Sequence, residues 1–210
     1  MAIRILLADD HKIVRQGLGA ILEEQGFQIV AESGNGQEAV QMAEKLRPDV
    51  AVLDIGMPLL NGIDASREIV RVSPRTRIIL LTMHTEDTFV LSGLRAGARG
   101  YLLKARAAED LVQAIRDVHR GEIYLSPGIS ETVVDAFLHA TTPPAEPLSD
   151  RERQVLQLIA EGKRTKEIAT ILGVSINTAE SHRNHIMEKL DIHDIAGLVR
   201  YAIRHGLIEG

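Results

Sequence analysis

The chain has 210 residues, of which 45% are hydrophobic and 3% aromatic, which fits one large domain or two small ones with aliphatic cores, and we favour two. The chain contains no cysteine, which excludes disulfides, thiolate catalysis and cysteine-ligated zinc. No run approaches the roughly 18 apolar residues of a membrane span, so we expect a cytoplasmic protein with no membrane partner. The net charge of −5 does not by itself favour nucleic acid as a partner.

Five short apolar runs alternate with amphipathic helical patterns in the first part of the chain. The runs start near Ile3, Phe27, Val50, Ile78 and Tyr101. The helical patterns follow near residues 13–22, 39–46, 63–72, 87–96 and 109–120. This alternation predicts buried parallel strands joined by helices. Five such units in about 120 residues are typical of the flavodoxin-like, doubly wound α/β fold with five parallel strands.

The composition changes after this α/β pattern. Residues Ser130–His139 predict one further short helix, and Ala140–Pro147 is Pro-rich and apolar-poor, which is typical of a semi-rigid linker. Strand patterns then cease, and helices are predicted near residues 150–160, 166–172, 176–190 and 195–205. The sequence therefore predicts an α/β domain over residues 1–121, a connecting segment over 122–147 and an all-α, four-helix domain over 148–210.

Acidic, hydroxyl and ammonium side chains stand where four of the apolar runs end. Asp9 and Asp10 close the first run, Asp54 the third, Thr82 the fourth and Lys104 the fifth. Ligands of open parallel sheets bind outside the carboxyl ends of the strands, so we expect these side chains to meet. Carboxylates about 4 Å apart repel by about 4 kcal/mol per pair at an effective dielectric constant near 20, and a hard cation such as Mg²⁺ would offset this repulsion.

Each of these residues has a plain structural alternative when it is taken alone. An aspartate can cap the next helix, a threonine can satisfy the end of a strand, and a lysine can be a solvated charge. Capping does not explain why four strand ends carry complementary chemistry, so the joint pattern favours a cradle for a phosphoryl group formed on a carboxylate nucleophile.

The motifs around these residues match a known family. Ala8–Asp10, Val52–Pro58 with Asn61 and Gly62, Leu81–Thr82 and Tyr101–Lys104 resemble the receiver domain of bacterial response regulators. The resemblance implies that Asp54 accepts a phosphoryl group from a sensor histidine kinase or a small phosphodonor. The implied Mg²⁺ ligands are Asp10, Asp54 and the Gly56 carbonyl, with Asp9 acting through water. Lys104 would pair with a phosphoryl oxygen, and Thr82 would move toward the phosphoryl group and let Tyr101 change position.

Other enzyme classes fit less of the sequence. The segment Gly34–Ala39 has the dinucleotide pattern G-x-G-x-x-A, and this pattern alone would suggest a nicotinamide enzyme. That interpretation leaves the acids, Thr82 and Lys104 unexplained, so we favour a turn and a helix start for these glycines. The segment Asp54–Gly56 lacks the D-x-D pair of an aspartyl phosphatase, and no H-E-x-x-H motif predicts zinc. We therefore expect a phosphoacceptor switch rather than an enzyme.

The C-terminal part of the chain carries helix signals at short intervals. Ser149 and Glu152 predict a capping box, Thr165 and Ser175 are predicted helix caps, and Gly173 is predicted to end a helix in the left-handed conformation. Two helices joined by a tight Gly-containing turn predict a helix-turn-helix. The second of these helices is predicted to bury one apolar face formed by Ile176, Ala179, Ile186, Met187 and Leu190.

Residues 148–156, 166–169 and 178–190 resemble the LuxR-type domain, which together with a receiver domain makes the NarL/FixJ type of transcriptional regulator. A recognition helix reads base edges in the major groove of double-stranded operator DNA. The candidates for base contacts are Glu180, Ser181 and Asn184. The candidates for phosphate contacts are Lys166, Thr178, His185 and Lys189. A solvated helix face is the alternative for each of them.

The charge of this part weakens the case for binding as a monomer. From Ala145 onward the chain has nine Lys/Arg and ten Asp/Glu, a net charge of −1. Affinity for DNA depends largely on contacts between basic side chains and phosphates. We therefore expect phosphorylation to promote a homodimer on two half-sites, with a constitutive DNA binder as the alternative. Arg183 falls on the apolar side of its helix and is interpreted as structural, with Glu152 as a candidate partner. Glu152 could not fully serve both this pair and the capping box.

Overall fold

A computed structural model describes residues 2–83, 87–127, 129–130 and 147–208 of the chain, without the side chains of residues 87–89. The chain divides into two compact units, Met1–Ala140 and Thr141–Gly210. The predicted helix Ser130–His139 and the predicted linker Ala140–Pro147 lie outside the described residues, apart from Ser130 and Pro147. Within the described ranges, no helix has both the length and the apolar character needed to cross a membrane.

The first unit contains a parallel sheet with helices between successive strands, as the sequence pattern predicts. The strands are β1 (Arg4–Ala8), β2 (Gln28–Ser33), β3 (Val50–Asp54), β4 (Arg77–Thr82), β5 (Gly100–Leu103) and β6 (Tyr124–Leu125). The helices are α1 (Lys12–Glu24), α2 (Gly36–Leu46), α3 (Gly62–Val72), α4 (Asp87–Arg95) and α5 (Ala107–His119), with a 3₁₀ turn at Lys104–Arg106. The strand order is β2-β1-β3-β4-β5-β6.

The apolar side chains of the central strands are buried on both faces of the sheet. Leu6 and Leu53 belong to the core on one face, whereas Ile5, Leu7 and Val52 belong to the core on the other. Alternating side chains point to opposite faces, so a strand covered by helices on both sides must be apolar at nearly every position. This burial explains why the strands appear in the sequence as continuous apolar runs, and the predicted α/β fold is confirmed.

The sixth strand departs from the prediction of five. Tyr124 and Leu125 pair in parallel with Gly100 and Tyr101 of β5, and they lie in the segment predicted to be a connection. Two residues are too few to show the alternation or the length that identifies a strand. This strand therefore depends on the neighbouring edge of β5, which offers hydrogen-bonding groups to it.

The glycine-rich segment after β2 forms a turn and a helix start. The side chain of Asn35 accepts a hydrogen bond from the Glu38 backbone and caps α2, which begins at Gly36. A Cβ atom at Gly36 would lie 1.9 Å from the carbonyl oxygen of Leu60. Gly36 therefore lets the helix pack against the loop that precedes α3, which is the structural role that the sequence favoured over dinucleotide binding.

The second unit is all helical in its described part. Its helices are α6 (Asp150–Ala160), α7 (Thr165–Leu172), α8 (Ile176–Leu190) and α9 (Ile195–Arg204). Gly173 follows α7 with φ = 64°, the left-handed conformation expected of a glycine that ends a helix. The turn leads directly into α8, whose N-cap is Ser175. The two helices and their turn form the predicted helix-turn-helix.

Most predicted caps are confirmed, but one is wrong. Ser149 and Glu152 form the capping box of α6. The N-cap of α7 is Arg164 rather than Thr165, and its backbone N–H donates to the Glu167 carboxylate at 2.8 Å. This bond is the half of a capping box that a glutamate at N3 supplies, and Arg164 has no hydroxyl group to supply the other half.

The predicted apolar face of α8 is only partly buried. Ala179 and Ile186 lie in the core of the unit, whereas Ile176 is exposed. Side chains tilt toward the N-terminus of a helix, so the side chain of the first residue extends beyond the turns that pack against the other helices.

Candidate functional site

The carboxylates predicted to meet lie together at the carboxyl ends of β1 and β3. These strands are neighbours in the sheet, with Ala8 opposite Leu53. Asp9 follows β1 and Asp54 ends β3, and both side chains are buried. Possible ligand atoms of Asp9, Asp10, His11 and Asp54 all lie within 4.8 Å of one another. We call these four residues the acidic cluster.

Lys104 brings a positive charge to the acidic cluster from the end of β5. Its Nζ atom lies 3.0 Å from Oδ2 of Asp9 and 2.9 Å from Oδ1 of Asp54. Burial alone would lower the pKa of Lys104, but its hydrogen bonds and charge interactions with Asp54 and Asp9 raise the pKa above its ordinary value. The ammonium group therefore stays charged and offsets the negative charge of the two buried carboxylates.

The backbone around Asp9 is held by local hydrogen bonds. The His11 backbone N–H donates to Oδ1 of Asp9 at 2.8 Å. The guanidinium group of Arg15 donates to the Asp9 carbonyl and, at 3.2 Å, to the carboxylate of Glu32 on β2. These contacts join the backbone at the end of β1 to α1 and β2, and the His11 N–H also holds the Asp9 carboxylate.

The other residues assigned to the receiver site lie on adjacent strands and in the following turn. Thr82 is buried at the end of β4, which pairs with β3 on one side and β5 on the other. Tyr101 on β5 is fully buried, and Gly56 lies partly exposed in the turn after β3. The sheet therefore brings Thr82 and the turn with Gly56 to the same edge as Asp54, whereas Tyr101 lies within β5, two strands away from β3.

The donor set of the acidic cluster suits a hard divalent cation. Three carboxylates face the single ammonium group of Lys104, so negative charge is in excess. Carboxylate oxygens are the ligands that Mg²⁺ takes in proteins. Asp10 is the accessible carboxylate of the cluster, with a side chain that is 34% exposed, so hydrated ions can reach the site.

His11 belongs to the cluster but was not selected from the sequence. Its Nδ1 atom lies 2.6 Å from Oδ1 of Asp10. The sequence feature that could have identified His11 as a cluster residue was its position directly after the Asp9-Asp10 pair. An exposed histidine at the start of a helix has no periodicity or strand end to distinguish it, so only the structure shows that its ring turns toward the carboxylates.

The candidate DNA contacts are exposed on the second unit. Exposed side chains on α7 and α8 include Lys166, Thr178, Glu180, Ser181, Asn184, His185 and Lys189. Thr178 also takes part in the start of α8, because its backbone N–H donates to the Ser175 hydroxyl. Six of the seven lie on α8, as expected for a helix that presents one polar face.

Glu152 pairs with Lys189 rather than with Arg183. The Nζ atom of Lys189 lies 2.7 Å from Oε2 of Glu152, and the same oxygen accepts hydrogen bonds from the Ser149 backbone and hydroxyl groups. Glu152 thus serves both an ion pair and the capping box, which the sequence analysis did not expect. Arg183 is half-buried and lines a small cavity with Ile159 and Ile168, in agreement with a structural role.

This pair joins the start of α6 to the end of α8 through a buried carboxylate. Burial would raise the pKa of Glu152, but hydrogen bonds from Lys189 and Ser149 outweigh it and lower the pKa to about 2 from its ordinary value of 4.5. A carboxyl group whose pKa is lower in the folded state stabilises the fold above its unfolded pKa. This stabilisation disappears as the pH falls toward the folded pKa.

We expect Lys189→Met to lower the free energy of unfolding of the second unit by about 1 to 2 kcal/mol at pH 7, because Glu152 loses a charged partner. The difference from the wild type should shrink as the pH falls from 4.5 toward 2, where Glu152 becomes protonated in both proteins. Urea denaturation followed through NMR signals of α6 and α8 measures this difference. The matched control is Lys166→Met at an exposed position, and a pH-independent difference would contradict the prediction.

The chain is similar to known proteins along most of its length. Residues 5–116 match the family "Response regulator receiver domain", and residues 146–202 match "Bacterial regulatory proteins, luxR family". The oxygen regulatory protein NreC of Staphylococcus carnosus is 38% identical, with 98% of this chain and 99% of NreC aligned.

Solved structures show the same relationship. A LuxR-family response regulator from Aurantimonas is 35% identical, with a TM-score of 0.63. The alignment includes 66% of this chain and 100% of the Aurantimonas chain. The response regulator RcsB, in a structure with DNA, is 29% identical, with a TM-score of 0.60. The alignment includes 96% of this chain and 98% of the RcsB chain. The chain therefore belongs to the two-component response regulators that join a receiver domain to a LuxR-type DNA-binding domain, and it is not a catalytic enzyme.

Proposed function

We propose that Asp54 accepts a phosphoryl group from a sensor histidine kinase, with Mg²⁺ bound at the acidic cluster. The observation that carries this proposal is the contact of one ammonium group, Lys104, with the carboxylates of both Asp9 and Asp54. A charged lysine against a buried carboxylate, beside further acids, is the arrangement needed to form an acyl phosphate and then hold its charge.

In the proposed transfer, a carboxylate oxygen of Asp54 attacks phosphorus. The new O–P bond forms as the P–N bond of the donor phosphohistidine breaks, and the electron pair leaves with the imidazole, which takes up a proton. Lys104 exchanges its contact with Asp54 for one with a phosphoryl oxygen. Mg²⁺, held by Asp10, Asp54 and the Gly56 carbonyl, with Asp9 acting through water, would neutralise charge on the carboxylates and the phosphoryl oxygens.

Thr82 and Tyr101 are the proposed elements that respond to phosphorylation. The Thr82 hydroxyl would donate a hydrogen bond to the phosphoryl group, and Tyr101 would change position in response. Shifting the populations of two conformations of a domain from 1:99 to 99:1 requires about 5.5 kcal/mol of differential binding free energy. Hydrogen bonds to charged groups supply about 1.5 to 3 kcal/mol each, so two or three new contacts at Thr82 and Lys104 would be enough.

The proposed output is a homodimer that binds operator DNA through α8, which implies action in the cytoplasm. Glu180, Ser181 and Asn184 are the proposed base contacts, and Asn184 can pair with adenine through two hydrogen bonds. The proposed phosphate contacts are Lys166, Thr178, His185 and Lys189. Lys189 would have to exchange its ion pair with Glu152 for a phosphate. The RcsB–DNA complex supports the DNA partner, and the charge balance of the unit supports the dimer.

The test of the phosphoacceptor is Asp54→Asn. Wild-type protein incubated with acetyl phosphate and Mg²⁺ should gain the mass of one phosphoryl group, and Asp54→Asn should gain none, because an amide lacks the nucleophilic carboxylate. Intact-protein mass spectrometry measures the change. The matched control is Asp117→Asn on α5, which should be labelled like the wild type. Labelled Asp54→Asn protein would refute the assignment.

The same variant tests the switch. Sedimentation and gel-shift measurements with and without the phosphodonor should show dimerisation and tighter DNA binding for the wild type only. DNA affinity that is equal for the wild type and Asp54→Asn with the donor present would instead indicate a constitutive binder.

A further inference from the structure

The loops that enter the six strands of the sheet are rich in arginine. All six strands are parallel, so these loops lie at the edge of the sheet opposite the carboxyl ends that hold Asp54. Together with the first residue of each strand, the described loops contain no lysine and only two acids, Asp49 and Glu122. They contain six arginines, which we call the arginine edge: Arg4, Arg47, Arg75, Arg77, Arg99 and Arg120.

Backbone contacts place four of these arginines in a row across neighbouring strands. The Arg4 guanidinium donates to the Arg47 carbonyl at 3.1 Å. The Asp49 N–H donates to the Arg4 carbonyl at 2.9 Å, and the Arg77 N–H donates to the Asp49 carbonyl at 2.9 Å. The Arg99 N–H donates at 2.8 Å to the carbonyl of the residue after Arg77. Neighbouring strands lie about 4.8 Å apart, so the row from β1 across β3 and β4 to β5 extends about 14 Å.

Most of the positive charge of the arginine edge is not neutralised within the receiver unit. Arg120 pairs with Glu122, and the Asp49 carboxylate accepts a hydrogen bond from the Arg4 backbone N–H. The other four arginines are exposed, and among the described residues their guanidinium groups form no ion pair and donate no hydrogen bond: Arg47, Arg75, Arg77 and Arg99.

Stabilisation of helix ends is the structural alternative for these arginines. The helices between the strands end at this edge, and cations are favourable near the carboxyl end of a helix. Arg4 makes such a contact, because it donates to the carbonyl of Arg47, the residue that ends α2. The four exposed arginines make no comparable hydrogen bond to a carbonyl of the described residues. Their guanidinium groups therefore remain available to an external anion.

The length and chemistry of the row favour a chain of phosphates as the anion. A guanidinium group is planar and presents several N–H donors that fit the oxygens of a phosphate. One strand of duplex DNA carries one phosphate per about 3.4 Å along its axis, so about four phosphates lie within about 14 Å. A single small anion would contact only part of the row. The arginine edge therefore fits an extended phosphate backbone.

We propose that the arginine edge of the receiver unit binds the phosphate backbone of the DNA beside the site that α8 reads. This inference rests on the DNA partner proposed above. From Ala145 onward the net charge is −1, so the second unit supplies little electrostatic affinity of its own. Both units belong to one chain, so DNA held by the second unit is at a high effective concentration for the receiver unit. The receiver unit adds affinity, and α8 determines the sequence that is bound.

The salt dependence of DNA binding by the full chain tests this proposal. Fluorescence anisotropy with a labelled, mixed-sequence duplex of about 40 base pairs gives the Kd at several NaCl concentrations, with acetyl phosphate and constant Mg²⁺ present. In Arg77→Gln/Arg99→Gln the Kd should rise about tenfold near 0.1 M NaCl. The slope of log Kd against log [NaCl] should fall by about 2, because two phosphate contacts are lost. Arg47→Gln/Arg75→Gln should show a similar change.

The matched control is Lys12→Gln/Arg106→Gln, which removes the same charge from two exposed positions at the opposite edge of the sheet. This control should keep the wild-type slope, because its residues lie outside the arginine edge. Arg77→Gln/Arg99→Gln should take up the phosphoryl group like the wild type, which shows that its receiver unit is folded. Should it fail to do so, the slope of Arg47→Gln/Arg75→Gln is decisive.

A wild-type slope in both arginine variants would overturn the proposal, as would an equal decrease in the control, which would indicate a general effect of net charge. Binding of the wild type to phosphatidylserine vesicles that is lost in Arg77→Gln/Arg99→Gln, with an unchanged slope on DNA, would assign the arginine edge to a lipid surface instead. Wild-type protein that binds no duplex would refute the proposed DNA partner. Duplex binding with equal slopes in the wild type and the variants would refute only the role of the arginine edge.

Discussion

Gly62→Ala is expected to lower the free energy of unfolding of the receiver unit by about 3 kcal/mol. A Cβ atom at this position would lie 2.1 Å from the carbonyl oxygen of Asp54 and 3.0 Å from the Cα atom of Ile55. Both contacts are with backbone, so no flexible side chain can move aside. The start of α3 would have to separate from the end of β3, which also weakens the hydrogen bond between the Gly62 N–H and the Ile55 carbonyl.

Because the clash is with the backbone of Asp54, Gly62→Ala should also slow phosphoryl uptake from acetyl phosphate. The matched control is Gly17→Ala in α1, where an added Cβ atom meets nothing within 4 Å. Alanine stabilises a helix interior by about 0.5 to 1 kcal/mol relative to glycine, so the control should be more stable than the wild type. Urea denaturation measures both variants. Equal stability of Gly62→Ala and the wild type would show that the close approach of α3 to β3 is not required.

Lys104→Met is expected to lower the free energy of unfolding by about 3 kcal/mol in EDTA, because it removes the positive partner of two buried carboxylates. The effect should depend on metal. A bound divalent cation supplies positive charge to the same carboxylates, and binding to the folded state alone stabilises that state by mass action. Millimolar Mg²⁺ should therefore restore more stability to the variant than to the wild type.

Thermal or urea denaturation in EDTA and in Mg²⁺ measures this difference for Lys104→Met. The matched control is Lys45→Met at an exposed position on α2, which should remain within about 0.5 kcal/mol of the wild type in both buffers. A loss of stability that is identical with and without Mg²⁺ would contradict a shared role of Lys104 and the cation in neutralising the acidic cluster.

The α/β fold and the convergence of the receiver residues could be predicted because both follow from local patterns. Asp9, Asp54, Thr82 and Lys104 each end an apolar run, and parallel strands bring such ends to one edge. The capping box at Ser149 and the left-handed Gly173 were predictable for the same reason, since each depends on residues within one or two helical turns.

Contacts between elements distant in sequence could not be predicted in the same way. Glu152 and Lys189 are 37 positions apart, and the choice of Lys189 over Arg183 depends on how α6 and α8 cross. The strand at Tyr124 exists because β5 offers an edge to pair with, and Ile176 is exposed because it extends beyond the packed turns of its helix.

The sequence by itself determined which segments become strands and helices and which chemical groups stand at the strand ends, because hydrophobic periodicity and capping act over a few residues. Only the tertiary structure decided which of these groups touch. The contact of Lys104 with both Asp9 and Asp54, the turn of the His11 ring toward Asp10 and the approach of Gly62 to the Asp54 carbonyl are contacts of a few ångströms. Distances of this size depend on how side chains from separate elements pack, and no local pattern in the chain encodes that packing.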